Sequence, residues 1–148
     1  MPELWLKRAT SADWQAIAEI EQQVDHKLFF SFEREAEIAD YIKNSAVYFI
    51  VNDSGTVGTI SYTIKPDETV YLDSLVILPQ YRHQGIATAA MNIIMHEIGV
   101  KKCLLAVHPE NRVAIKLYLN FGFAITAWKD NYFDDSQPRL IMEKSINF

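Results

Sequence analysis

Apolar residues along this chain switch repeatedly between a spacing near two and a spacing near 3.6, and the switches fall at turn and capping residues. Residues 4–8 read as a first strand. Thr10-Ser11-Ala12-Asp13 then offers capping side chains ahead of an apolar stripe at Trp14, Ile17, Ala18 and Val24, which predicts an amphipathic helix. A phenylalanine-rich connection, Leu28-Phe29-Phe30-Ser31-Phe32, leads into a charged helical segment over 33–43 with Ile38, Tyr41 and Ile42 as its apolar side. The β-branched runs 46–51 and 56–64 flank Asn52-Asp53-Ser54-Gly55, the signature of a hairpin. After the turn Pro66-Asp67-Glu68, residues 70–78 are apolar on both faces, so this strand is expected to be central and covered on both sides; Pro79 stops it.

Between Gly85 and Ile98 the polar residues Thr88, Asn92 and His96 recur every fourth position and leave a wide apolar remainder, which predicts a helix ended by Gly99. Cys103-Leu104-Leu105-Ala106-Val107 is a buried strand, and a strand-helix-strand unit of this length implies a parallel pair with a right-handed crossover. A helix over 111–121, a strand through about Trp128, a polar loop from Lys129 to Arg139 and a closing strand Leu140-Ile141-Met142 complete the chain. The class is α/β. No linker, repeat or low-complexity stretch divides residues 1–148, so a single domain is expected.

Composition narrows what such a domain does. At 148 residues, 49% hydrophobic and 22% charged, the chain is long enough to bury a core without staples. Its single cysteine, Cys103, excludes an intrachain disulfide, and four dispersed histidines form no cluster at zinc-ligand spacing, so no metal is expected. A net charge of -5 speaks against a nucleic-acid backbone as partner. No apolar run approaches membrane-spanning length and Met1 to Arg8 lacks a signal-peptide pattern, which points to the cytoplasm.

The chemistry concentrates in Val76-Ile77-Leu78-Pro79-Gln80-Tyr81-Arg82-His83-Gln84-Gly85-Ile86-Ala87, where the central strand runs through a short loop into a helix. A helix start aims unpaired N–H groups and the positive end of its dipole at one spot, and Gly85 allows a ligand to approach the backbone closely. Arg82 and His83 add donors of matching sign. The arrangement suits a diphosphate; its bland alternative is a tight strand-to-helix turn. The glycine spacings of nucleoside triphosphatases and of dinucleotide-binding folds are both missing.

This loop resembles the R/Q-x-x-G-x-G/A motif of GNAT-superfamily acetyltransferases, matched by Arg82, Gly85 and Ala87. A second stretch, Asn111 to Phe123, resembles that superfamily's N-x-x-A-x-x-L-Y-x-x-x-G-F signature through Asn111, Ala114, Leu117, Tyr118, Gly122 and Phe123. On a helix Asn111, Ala114, Ile115 and Tyr118 share one face. The resemblance spans the whole chain. It implies a mixed sheet of about seven strands with helices on both faces, whose parallel fourth and fifth strands splay to admit acetyl-coenzyme A. It implies loop amides over Arg82, His83, Gln84, Gly85, Ile86 and Ala87 holding the pyrophosphate, and strand amides at Val76, Ile77 and Leu78 holding the pantetheine and the thioester carbonyl. Asn111 is implied as a pantetheine contact, or serves only as a helix cap.

Such a transfer needs an ammonium deprotonated, an oxyanion stabilised and a thiolate protonated. Tyr118 matches the family's general acid. Asp73, a carboxylate in an apolar central strand, is the candidate base; an ordinary hydrogen-bonded carboxylate is the alternative. Cys103 reads as an inert core thiol, and His108 beside Pro109 as a structural residue. The acceptor wall is expected from Asp25 to Glu37 and from Trp128 to Asp135, where rings and carboxylates suit a small cationic amine. Asn131-Tyr132-Phe133 also resembles a segment of the ribosomal-protein N-terminal acetyltransferases, whose fifth-strand glutamate is Ala106 here. A peptide N-terminus as acceptor, and a non-catalytic coenzyme A sensor, are the competing readings. The assembly expected is a monomer or homodimer.

Overall fold

A computed structural model describes residues 3–99 and 102–145. Strands β1 (Trp5–Arg8), β2 (Ala46–Asn52), β3 (Gly55–Ile64), β4 (Val70–Ile77), β5 (Lys102–Val107), β6 (Ala124–Lys129) and β7 (Arg139–Ser145) form one mixed sheet in the order β1-β2-β3-β4-β5-β7-β6. The α-helices are α1 (Trp14–Glu21), α2 (Glu35–Asn44), α3 (Ile86–Ile98) and α4 (Arg112–Asn120). β4 and β5 run parallel through Val70↔Cys103, Tyr71↔Leu104 and Leu72↔Leu105, joined by α3 as the strand-helix-strand reading requires. Among the described residues no helix is long and apolar enough to cross a membrane.

The chain packs into two compact units, each assembled from three separate segments, so no single cut divides them. The first comprises Met1–Val24, Ser31–Thr63 and Asp73–Gly99. Here β3 is sandwiched. Ser61 and Thr63 emerge on one face, where Tyr41 of α2 meets Ser61 and Ser45, the residue capping α2, bonds Thr63 at 2.9 Å. The next residue, Tyr62, emerges on the opposite face within electrostatic reach of Glu97 on α3. Ile38, Val47, Ile50, Ile60, Ala90, Met91 and Ile94 are fully buried and form the core of this unit.

The second unit comprises Asp25–Phe30, Ile64–Leu72 and Val100–Phe148. Cys103, Leu105 and Val107 alternate inward along β5, with Met142 of β7, Tyr118 of α4 and Phe123 also buried. The closing strand is longer than its apolar residues announced. β7 runs on through Glu143, Lys144 and Ser145 because backbone pairing with Leu104, Cys103 and Lys102 continues whatever the side chains are. Conversely α1 stops at Glu21, before Val24, which is nonetheless buried in the following turn.

Leu105, 1% exposed at the middle of β5, and Leu119, 48% exposed on α4, give opposite expectations. Leu105→Ala should cost about 2–5 kcal/mol and Leu119→Ala under about 0.5 kcal/mol in urea unfolding. Equal effects at the two positions would contradict this placement of the core.

Candidate active site

In the first unit, β4 ends in a short passage that turns the chain into α3. Pro79–Tyr81 forms one turn of 3-10 helix, with Tyr81 N–H donating to Leu78 C=O at 2.9 Å. His83 and Gly85 then both take the left-handed conformation, φ +63° and +77°. Gly85 is the N-cap of α3, and the first intrahelical bond runs from Ala89 N–H to Gly85 C=O at 3.1 Å. The N–H groups of Ile86, Ala87 and Thr88 therefore head the helix without intrahelical acceptors, and the loop Arg82, His83, Gln84 and Gly85 is exposed. Arg82 is held in part by its own strand, its Nε donating to Ile77 C=O at 3.0 Å.

Asp73 stands earlier on β4, and its Oδ2 accepts the Thr63 hydroxyl at 2.6 Å. With Ser45 on Thr63 and Tyr41 on Ser61, the α2-facing side of β3 is a hydroxyl-rich layer. A further carboxylate belongs with it. Glu21, at the end of α1, is pushed up to about 7 by burial, lies in electrostatic reach of the buried Tyr41 phenol, and has no hydrogen-bond or ion-pair partner among the described residues. Glu21 was legible: counted from Trp14, it occupies the same apolar stripe as Ile17 and Ala18, the place where a carboxylate loses water.

In the second unit, Tyr118 projects from α4 into the interior, edge-on to Phe123 at 5.8 Å between ring centroids. Burial first, then the neighbouring Cys103, push its phenol above the ordinary tyrosine range, and among the described residues its hydroxyl has no hydrogen-bond partner. The Cys103 thiol is itself pushed up to about 12 by burial, against the opposing pull of Lys144. It keeps its proton and is no nucleophile. Asn111 caps α4, its Oδ1 accepting Ala114 N–H at 3.2 Å. His108 is buried: its Nδ1 accepts Glu110 N–H at 3.1 Å, which makes it the neutral Nε2–H tautomer donating to Gln137 Oε1 at 2.8 Å.

The loop between β6 and β7 is organised by its own carboxylates. Asp130 accepts Trp128 Nε1–H at 2.8 Å and Asp134 accepts Asn131 Nδ2–H at 3.1 Å. Asp135 accepts the buried Arg139 guanidinium at 2.8 Å, which lies over the Phe133 ring at 5.1 Å. Phe133 in turn stacks on Phe30 at 5.3 Å. These acids, expected to line an acceptor wall, are thus engaged within the loop. Arg139 went unnoticed in the sequence because a buried arginine reads there as one more polar loop residue.

The family model described as Acetyltransferase (GNAT) family matches residues 11–123. Similar solved structures include Ard1 from Thermoplasma volcanium, 20% identical with a TM-score of 0.84 over 98% of this chain and 99% of that one. The ribosomal-protein-S18-alanine N-acetyltransferase from Escherichia coli is 21% identical, TM-score 0.80, over 99% and 96% of the two chains. A spermidine N-acetyltransferase chimera of Vibrio cholerae SpeG and hSSAT is 16% identical, TM-score 0.79, over 96% and 95%. At these identities the likeness shows the fold. No curated protein sequence matches the chain.

Burial of Glu21 fixes a pH dependence. Its carboxyl titrates at 4.5 when unfolded and about 7 when folded, so between these values the native state binds a proton that the unfolded chain has lost. Stability from this group is full below pH 4.5 and is lost as pH rises through 7. Glu21→Gln, which stays neutral, should be more stable than the parent at pH 8 by on the order of 2 kcal/mol, and nearly equal to it at pH 4, in urea titrations. A pH-independent difference would mean the carboxylate is solvated.

Proposed function

Because the chain belongs to the acetyltransferase (GNAT) family, we propose that it transfers the acetyl group of acetyl-CoA to a primary amine by direct attack, with a small cationic amine as acceptor. The observation that supports this most is the passage from β4 into α3. Two left-handed residues, His83 and Gly85, on either side of Gln84, shape an exposed loop leading to N–H groups without intrahelical acceptors at the start of a thirteen-residue helix. That is the chemistry a diphosphate needs: oriented donors, the positive end of a helix dipole, and no side chain at Gly85 to hold the ligand off. We read Arg82, His83, Gln84, Gly85, Ile86 and Ala87 as the pyrophosphate cradle and residues 1–148 as one acetyltransferase domain.

Val76, Ile77 and Leu78 offer the backbone groups for the pantetheine arm and thioester, and Asn111 adds a polar contact on α4 besides its cap. The amine nitrogen attacks the thioester carbonyl; the carbon–nitrogen bond forms, the oxyanion is held by β4 backbone N–H, and the carbon–sulfur bond then breaks. Protonation of the leaving thiolate is the step this reading assigns to the Tyr118 hydroxyl. Burial keeps that phenol protonated at every working pH, and makes the phenolate costly. Tyr118 therefore serves first as a hydrogen-bond donor to sulfur and gives up its proton only as the charge on sulfur develops.

Two carboxylates in the first unit answer for the proton released by the ammonium. Asp73 is oriented by Thr63, and Glu21, with its carboxyl near 7, is poised to exchange a proton at neutral pH. That proton is assigned in this reading to these two carboxylates, Asp73 within its bond to Thr63 and Glu21 at the end of α1.

Replacing Tyr118 by phenylalanine keeps the ring and removes the donor. Tyr118→Phe should lower kcat by roughly 10²–10⁴-fold with little change in acetyl-CoA affinity, the range for loss of a general acid, measured in single turnover as well as steady state. Normal single-turnover rates would remove the hydroxyl from the mechanism; lost affinity with normal kcat would make it a cofactor contact.

A further inference from the structure

Along β3 and β4 the two strands differ in residue count. Leu78 N–H bonds Val57 C=O at one end and Lys65 N–H bonds Thr69 C=O at the other, 2.9 and 2.8 Å. Eight steps of chain separate Val57 from Lys65 but nine separate Thr69 from Leu78. In an antiparallel pair the bonded residues keep a constant register, so β4 carries one residue in excess, the defining feature of a β-bulge.

Gly58 sits against the bulged strand. A Cβ built there would overlap the Val76 carbonyl oxygen and lie 3.1 Å from both Val76 C and Ile77 Cα, all backbone atoms with no flexible side chain to move aside. In regular pairing a Cβ stands off the sheet and meets no backbone of the next strand. The two backbones approach here more closely than any other residue permits. On its other side β3 is also out of register: Ile50 pairs with Gly58 and Val51 with Thr56, so Val57 is an extra residue facing β2. Two irregularities thus meet at Val57-Gly58, beside the segment Val76-Ile77-Leu78.

We propose that Gly58 is a positioning residue for acetyl transfer, its missing side chain setting where the Val76–Ile77 peptide lies against the thioester. This rests on the acetyltransferase reading above, in which β4 backbone groups hold the thioester carbonyl. A methyl at position 58 must push that peptide by a good part of an ångström, and oxyanion donors lose their effect over such distances. The phosphate cradle, beginning at Arg82, is further along the chain and keeps its geometry.

The test is Gly58→Ala beside Gly55→Ala in the full chain. Gly55, the first residue of β3 at φ +105°, is also strained by a side chain, but its Cβ would meet nothing within 4 Å. Gly58→Ala should lower kcat by about 10–100-fold while affinity for CoA changes by less than about threefold; Gly55→Ala should melt earlier yet keep the parental kcat per folded molecule. Parental kcat in folded Gly58→Ala overturns the proposal. So does an equal loss of kcat in Gly55→Ala, which would make the effect one of general stability. Should Gly58→Ala not fold, amide spectra of the unaltered protein decide: the Val76 and Ile77 N–H signals should differ between the CoA and acetyl-CoA complexes more than other β4 amides, and indifference there removes the role. If the unaltered protein neither binds acetyl-CoA nor releases thiol, the acetyltransferase reading itself fails.

Discussion

A strand in the middle of a sheet must place its N–H and C=O groups on two neighbours at once, and β4 meets this demand with unlike partners, β3 antiparallel and β5 parallel. Much of the fold follows. A parallel neighbour requires a crossover, which places α3 after β4 and makes the β4–α3 connection a loop at the carboxyl end of a strand, where α/β folds bind ligands. The antiparallel neighbour holds β4 up to Leu78, but only with an extra residue accommodated on the way. The chain manages this with a glycine on β3 opposite the irregularity.

Desolvation is the common electrostatic theme. Burial is the leading cause of the upward shifts at Glu21, Tyr41, Cys103 and Tyr118. The direction is the same because each of these groups is neutral when protonated, and water is what the charged form loses. The consequences differ with the starting value. Tyr118 and Cys103 keep their protons throughout the physiological range, which suits a donor and removes a nucleophile. Glu21 is brought to the middle of that range, where a carboxyl both accepts and releases protons.

The element order was legible because it depends on side-chain periodicity and on turn residues. The run of polar residues at Thr88, Asn92 and His96 drew α3, the apolar strand at 70–78 marked the centre, and Gly99 ended the helix in the left-handed conformation, φ +59°. The loop between β4 and α3 was legible for the same reason, a glycine between strand and helix patterns. Backbone events without a side-chain signal were not. The polar end of β7, the register break between β3 and β4, and the division into two units assembled from interleaved segments depend on pairings between distant residues. Arg139 and the acids of the β6–β7 loop show the same limit from the polar side. Asp130 bonds Trp128, Asp134 bonds Asn131 and Asp135 bonds Arg139, and composition alone cannot tell exposed charge from paired charge.

Acetyl transfer to an amine makes one free thiol and one acetylated amine for each acetyl-CoA consumed, so the most direct measurement follows both products across polyamines, amino sugars, amino acids and short peptides. The account predicts thiol release that depends on added amine, matched by the acetylated amine in mass spectra, with small cationic amines ahead of peptides. Folded protein that binds acetyl-CoA yet releases no thiol with any amine would contradict it and leave a coenzyme A-binding domain in place of an enzyme.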